Sequence, residues 1–246
     1  FIEGFPGVSQ DGEKAIWKRK KDFEEKLELL YSRHLQGQYV AYGFSKGYAS
    51  GFQAFLDSKI LPERAIKGQV TGPISVGLNL LKEDMRPVLY DEELSDAVAR
   101  YLSLKASWQE NALKAIHKET IIFVDEPSLA SIGSAYINIS KEQVIKLLGI
   151  VFKGITGLKA IHCCANTDWG IVIEAGPDIV SFDAYNYMVN FSLYAAEVKA
   201  LIERGGAIAW GIVPNTVESL AKETAASLKD RLEEGVALFS RKGLDH

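Results

Sequence analysis

Cysteine is scarce in this chain. The 246 residues hold two, Cys163 and Cys164, and they are adjacent. Neighbouring cysteines cannot staple distant segments, so a disulfide framework is excluded and a reducing, cytoplasmic setting is expected. Long apolar runs are missing as well: no stretch approaches the ~20 residues of a membrane-spanning helix, and none reads as a signal peptide. Basic charge is not in excess. Lys+Arg 28 stand against Asp+Glu 32, a formal net charge of -4, which argues against a nucleic-acid binder. The one dense basic run, Lys18-Arg19-Lys20-Lys21, is followed by Asp22, Glu24 and Glu25 and reads as a solvated helix face. Neither G-x-G-x-x-G nor a P-loop occurs, so a nucleotide-binding Rossmann domain is disfavoured. An opening methionine is missing too, and the chain is expected to be an excerpt of a longer protein.

What is present is apolar periodicity. Hydrophobic residues make up 47% of the chain, enough to bury a large core without staples. Phe1–Gly12 reads as a loop, Glu13–Leu35 as a helix ended by Gly37, and Ala41–Ser58 as a helix with Gly43, Gly47 and Gly51 along one stripe. From there strands and helices alternate. Strands are expected at Arg64–Val70, Thr120–Val124, Leu158–Cys163, Asp178–Phe182 and Ala207–Val213. Helices are expected at Asp91–Ile116, Lys141–Phe152 with Ser140 as N-cap, Thr167–Ala175, Phe191–Arg204 closed by Gly205-Gly206, and Thr216–Lys242. The division is therefore one domain over 1–246, a helical lead-in over 1–60 and five βα units over 64–242.

The strands are nearly continuous in apolar character, as in parallel sheets buried on both faces. Polar, chemically capable residues follow them: Thr71, Asp125, Glu126, His162, Cys164, Asp183 and Pro214. A (β/α)8 TIM barrel collects its active site at those C-terminal ends, and that is the expected fold, with a doubly wound sheet as runner-up. A barrel needs eight strands and five are found, so strands are expected before Phe1 and one after His246.

The stretch Leu158–Asp183 carries the densest chemistry. Alternate residues of a strand share a face, so His162 and Cys164 point one way and Cys163 the other. An imidazole and a thiolate on one face are half of a zinc site; the competing reading is a pair of small buried residues. Asn166, Thr167 and Asp168 are placed to cap the next helix, and Asp168 is also a candidate partner for His162. Trp169, Tyr185 and Tyr187 are candidates to line a pocket, with core packing as the competing role. His34 and His117 fall on helices and His246 is terminal; all three read as ordinary structural or surface residues. No Ser-His-acid constellation supports hydrolase chemistry.

Five segments together, VTGPISVGL (Val70–Leu78), FVDEPSLA (Phe123–Ala130), IHCCANTDW (Ile161–Trp169), VSFDAYNY (Val180–Tyr187) and WGIVPNT (Trp210–Thr216), resemble successive strand-end motifs of one superfamily. It holds the catalytic half of cobalamin-independent methionine synthase, the methylcobamide:thiol methyltransferases and uroporphyrinogen decarboxylase. The resemblance covers residues 64–242 and lies nearest a methionine-synthase-like branch. It implies a zinc-dependent methyltransferase with a small-molecule thiol as acceptor. The implied donor is a methylated corrinoid, carried by a corrinoid protein, or a methylfolate. His162 and Cys164 match the H-x-C ligands. Asp183 lies where the family places a glutamate ligand and is one methylene shorter, so an N-cap or a supporting partner of His162 is its competing role. Asp125 and Glu126 fall in the motif that holds a substrate ammonium group. Their alternate directions let only one face the mouth, and Asp125 is favoured; the competing role is a loop carboxylate capping a helix. Thr71-Gly72-Pro73 shapes a loop that substrate approaches, or is a plain turn.

The family's last cysteine ligand has no counterpart up to His246, so the metal site is expected to be weak or vacant. The alternatives are a tetrapyrrole decarboxylase of the same superfamily and a non-catalytic corrinoid- or thiol-binding barrel. The first needs several basic residues around the mouth. The second is favoured by an incomplete ligand set.

Overall fold

The computed structural model describes residues 1–11, 14–58, 62–132 and 137–244; His246 lies outside them. The chain opens with an antiparallel pair, β1 (Val8–Asp11) and β2 (Lys14–Trp17). Helix α1 (Phe23–Leu35) follows, then a single 3-10 turn at Val40–Tyr42 and the short α2 (Ser50–Asp57). Next come β3 (Ile66–Thr71), α3 (Pro73–Asn79), β4 (Leu81–Lys82) and the long α4 (Glu92–Lys114). The run continues as β5 (Thr120–Asp125), α5 (Lys141–Lys153), β6 (Leu158–Cys163), α6 (Trp169–Glu174) and β7 (Ile179–Phe182). It closes with α7 (Ala184–Phe191), α8 (Ala195–Glu203), β8 (Ala207–Trp210), α9 (Val217–Leu220) and α10 (Ala225–Ser240).

The fold is α/β. Five parallel strands form one sheet in the order β3-β5-β6-β7-β8. That order never reverses, so the sheet has no switch point of the doubly wound kind. It is not closed: β3 and β8 are its two edges.

Unreversed winding with crossovers of one hand puts successive helices on the same side of a sheet. Burial follows suit. Ile66, Gly68 and Val70 on β3, Thr120, Ile122 and Val124 on β5, and Val180 and Phe182 on β7 are all buried, and their alternating neighbours are more exposed. The expectation of strands buried on both faces is therefore corrected for β3, β5 and β7, where among the described residues one parity is buried and the other more exposed, while β6 buries Ala160 and Ile161 on opposite faces.

Local chemistry explains most element ends. Asp91 accepts from the Leu94 N–H, Ser140 from Gln143 and Asp168 from Ile171, each satisfying a free donor at a helix start. Gly205, with φ +86, takes the left-handed conformation that closes α8. Other expectations are corrected. Phe1–Gly12 is not all loop, and the first helix begins at Phe23 because Lys14–Trp17 is spent on pairing with β1 and β4. The Gly43, Gly47 and Gly51 stripe is not one helix face: a Cβ on Gly43 would sit 2.8 Å from Trp108, so that glycine serves close packing alone. The last helix is broken, and α10 restarts at a capping box in which Thr224 and Ser227 exchange hydrogen bonds.

An aromatic cluster fixes the β7–β8 end. Phe182 and Phe191 stack at 4.0 Å, Trp169 meets Phe191 edge-on at 5.1 Å, and Phe239 of α10 packs on Phe191 and Trp210. Trp169 is fully buried in this cluster, so of its two expected roles the core one holds.

Candidate functional site

Register assembles the site. Thr71, Asp125, His162 and Ser181 are paired across β3, β5, β6 and β7 in one row at the C-terminal end of each strand. All four are half-buried and stand on the face without helices, the parity opposite to the buried Val70, Val124, Cys163 and Phe182. The backbone bonds extend one step past the row: Gly72 N–H donates to the Asp125 carbonyl and Glu126 N–H to the His162 carbonyl, both at 2.8 Å.

Behind the row lies a buried lock. Glu126 is fully buried. Its carboxylate accepts from the Ile74 and Ser75 N–H groups at 2.8 Å each and from the Ser75 hydroxyl at 2.6 Å, while Ser75 Oγ accepts from Ser128 N–H at 3.1 Å. Burial still outweighs these bonds and pushes the Glu126 carboxyl up to about 7. A Cβ on Gly72 would lie 2.2 Å from Glu126 Oε1, so only glycine fits there. Pro73 then starts α3 at a position where no N–H is needed. Thr71-Gly72-Pro73 and Asp125-Glu126-Pro127 are thus two halves of one joint. Glu126 and Gly72, candidates for contact with substrate, hold α3 to the strand end; for Glu126 this is the competing role, a carboxylate that caps a helix.

Asp125 keeps the open face. Burial raises its carboxyl above the ordinary aspartate range, and the charges of Lys67 and His162 work against that rise. Lys67 lies over the Phe123 ring at 4.5 Å and donates to Gln69 Oε1 at 2.7 Å, all on the same face.

His162 Nδ1 sits 3.1 Å from Ser181 Oγ. Cys163 points into the core, where burial pushes its thiol up to about 11 and Sγ donates to the Ala165 carbonyl at 3.4 Å. Cys164 is exposed one residue past the end of β6. Asp183 is engaged at the start of α7: Oδ1 accepts from Asn186 N–H at 3.0 Å and Oδ2 from Asn186 Nδ2 at 2.6 Å. Among the described residues no three His, Cys, Asp or Glu side chains gather into a metal-ligating group. Two donors of suitable chemistry are present, short of the three protein ligands of a catalytic zinc, so the described residues supply an incomplete set.

The remaining candidates have other duties. Asp168 caps α6 through Ile171 N–H at 3.2 Å and stands exposed, while His162 takes Ser181 as its partner instead. Thr167 is buried and donates to the Leu129 carbonyl at 2.9 Å, tying the segment after β6 to the turn after β5. Tyr185 donates to Glu223 Oε1 at 2.7 Å and lies under the Arg231 guanidinium at 4.3 Å, linking α7 to the approach of α10. Ser181 and Lys67 were not anticipated. Strand parity alone marks Ser181, two residues before Asp183 and across from His162. No family model matches the chain, and no curated protein matches it.

Proposed function

We propose that the chain transfers a methyl group to a small-molecule thiol, as a methionine-synthase-like methyltransferase. In this reading its five parallel strands are an arc of a (β/α)8 barrel. The observation that supports it is the single row Thr71, Asp125, His162 and Ser181 on the uncovered face at the strands' C-terminal ends. Barrel enzymes draw their active sites from that edge.

The half-buried Asp125 carboxylate is the anchor for a cationic group on the acceptor, since charge-assisted hydrogen bonds are the strong ones. The Thr71 hydroxyl supplies a neutral partner on the adjoining strand. The acceptor must attack as a thiolate, while the donor, a methylated corrinoid or a methylfolate, gives up the bond to its methyl carbon. Zinc, when bound, stabilises a thiolate at neutral pH. His162 and Cys164 are the donors of the right type for it, and Asp183 joins them only by releasing its cap on α7.

The test joins metal content to turnover. Elemental analysis of wild type and Cys164→Ser is paired with methyl transfer from methylcobalamin and from a methylfolate to a panel of thiols. Zinc taken up by wild type and lost in the variant, with turnover lost alongside, is the expected result. Equal zinc in both proteins, or no methylated thiol, removes the reading.

The commitment of Asp183 to α7 favours a second reading, a corrinoid- or thiol-binding barrel without catalysis. Spectral titration with cobalamins that saturates without turnover would select it.

A further inference from the structure

Among the described residues His162 has one side-chain neighbour within hydrogen-bond distance, Ser181 Oγ on the next strand. The two residues are register partners, so the contact is built by the sheet itself and needs no loop to form. Nδ1 is the ring nitrogen nearer the backbone. Pinning it sideways to β7 leaves Nε2 at the far end of the ring, directed away from the strands. A neutral imidazole carries one proton, and the tautomer decides whether Nε2 offers a lone pair or an N–H. A hydroxyl can take either part in the bond.

We propose that Ser181 is the positioning residue for His162: Ser181 Oγ accepts from Nδ1–H, which fixes the ring and presents the Nε2 lone pair on the open face. The inference rests on the methyl-transfer reading for its direction, because an Nε2 that binds or reacts there needs its lone pair. Partners of this kind fix tautomer and ring orientation in ligand histidines generally. Ser181 acts only through His162 and touches no substrate.

The test reads the tautomer in metal-free protein. Long-range 15N–1H spectra at alkaline pH, where imidazoles are neutral, are recorded for wild type, Ser181→Ala and Ser181→Thr. The expected result is an Nδ1–H tautomer at His162 in wild type, loss of that preference in Ser181→Ala, and its return in Ser181→Thr, which keeps the hydroxyl. An Nε2–H tautomer in wild type, or spectra of Ser181→Ala that match wild type, overturns the proposal. Ser181→Thr also controls for folding, since it retains the bond at slightly greater bulk. Zinc titration of the same three proteins separates the two readings. Zinc affinity lower by about 10- to 100-fold in Ser181→Ala alone supports both. A hydroxyl-dependent Nδ1–H tautomer in a wild type that takes up no zinc keeps the positioning role and removes the metal-assisted methyl transfer.

Discussion

Asp125 and Glu126 are neighbours in sequence and belong to opposite sides of the same sheet. Glu126 faces the helices, is fully enclosed, and spends its carboxylate on three donors of α3. Asp125 faces the uncovered side, half-buried, with Lys67 and His162 near it. One residue's step along a strand thus separates a group that holds the fold from a group free to meet a ligand. The same division runs through the whole sheet: Cys163 against His162, Val70 against Thr71, Phe182 against Ser181.

The sharpest way to break that contrast is to strip the enclosed side. Glu126→Leu leaves the Ile74 and Ser75 donors buried without partners, and each such group costs about 1–3 kcal/mol. Urea denaturation should show a loss on the order of 3 kcal/mol or more, the largest effect of any single change here; a loss below about 1 kcal/mol would falsify the lock. Gly72→Ala drives a methyl into the same carboxylate, and overpacking of this kind costs about 1–3 kcal/mol, again read from the denaturation midpoint.

The lock also carries a pH signature. The Glu126 carboxyl is raised in the folded state, from its ordinary 4.5 to about 7, so the native protein holds a proton that the unfolded chain has released over that interval. Stability is fullest below the lower value and declines as pH rises through the upper one. Glu126→Gln should flatten that decline in denaturation curves collected across the range. An unchanged slope would assign it to another group.

Smaller effects test the other side. Asp183→Ala removes the cap of α7 and should cost about 1 kcal/mol. Retention of zinc in that variant would count against Asp183 as a ligand. Asp125→Asn should leave stability within about 0.5 kcal/mol, since it breaks no packing and no cap, while weakening thiol binding measured by calorimetry. A large stability loss with intact binding would reverse the roles of the two faces.

The sequence announces the first half of this contrast better than the second. A strand such as β5 is readable because a short apolar run ends at a polar residue, and β6 is found at its observed bounds. Alternation also says that Asp125 and Glu126 diverge. What it cannot say is which of the two the helices will cover, because that depends on α3. This helix stays hidden: Gly72 and Pro73 read as a turn, although a proline opening a helix is well tolerated. The β1–β2 pair is hidden for a different reason. Ile16 and Trp17 fit a helical spacing as well as an alternating one, and pairing with β1 and with β4, more than sixty residues on, decides between them. Ser181 escapes because a serine inside a strand carries no chemical signature until its neighbour is known.

The unreversed strand order has a consequence for how the molecule is made. Every strand of the large sheet lies against the one that precedes it in the chain, so each new hairpin-free unit finds its place on a surface already finished. Each closure spans one crossover, with one or two helices and their connections, and loop-closure cost grows only slowly with that length. The chain is suited to growing its sheet from one end during synthesis, each segment docking as it leaves the ribosome.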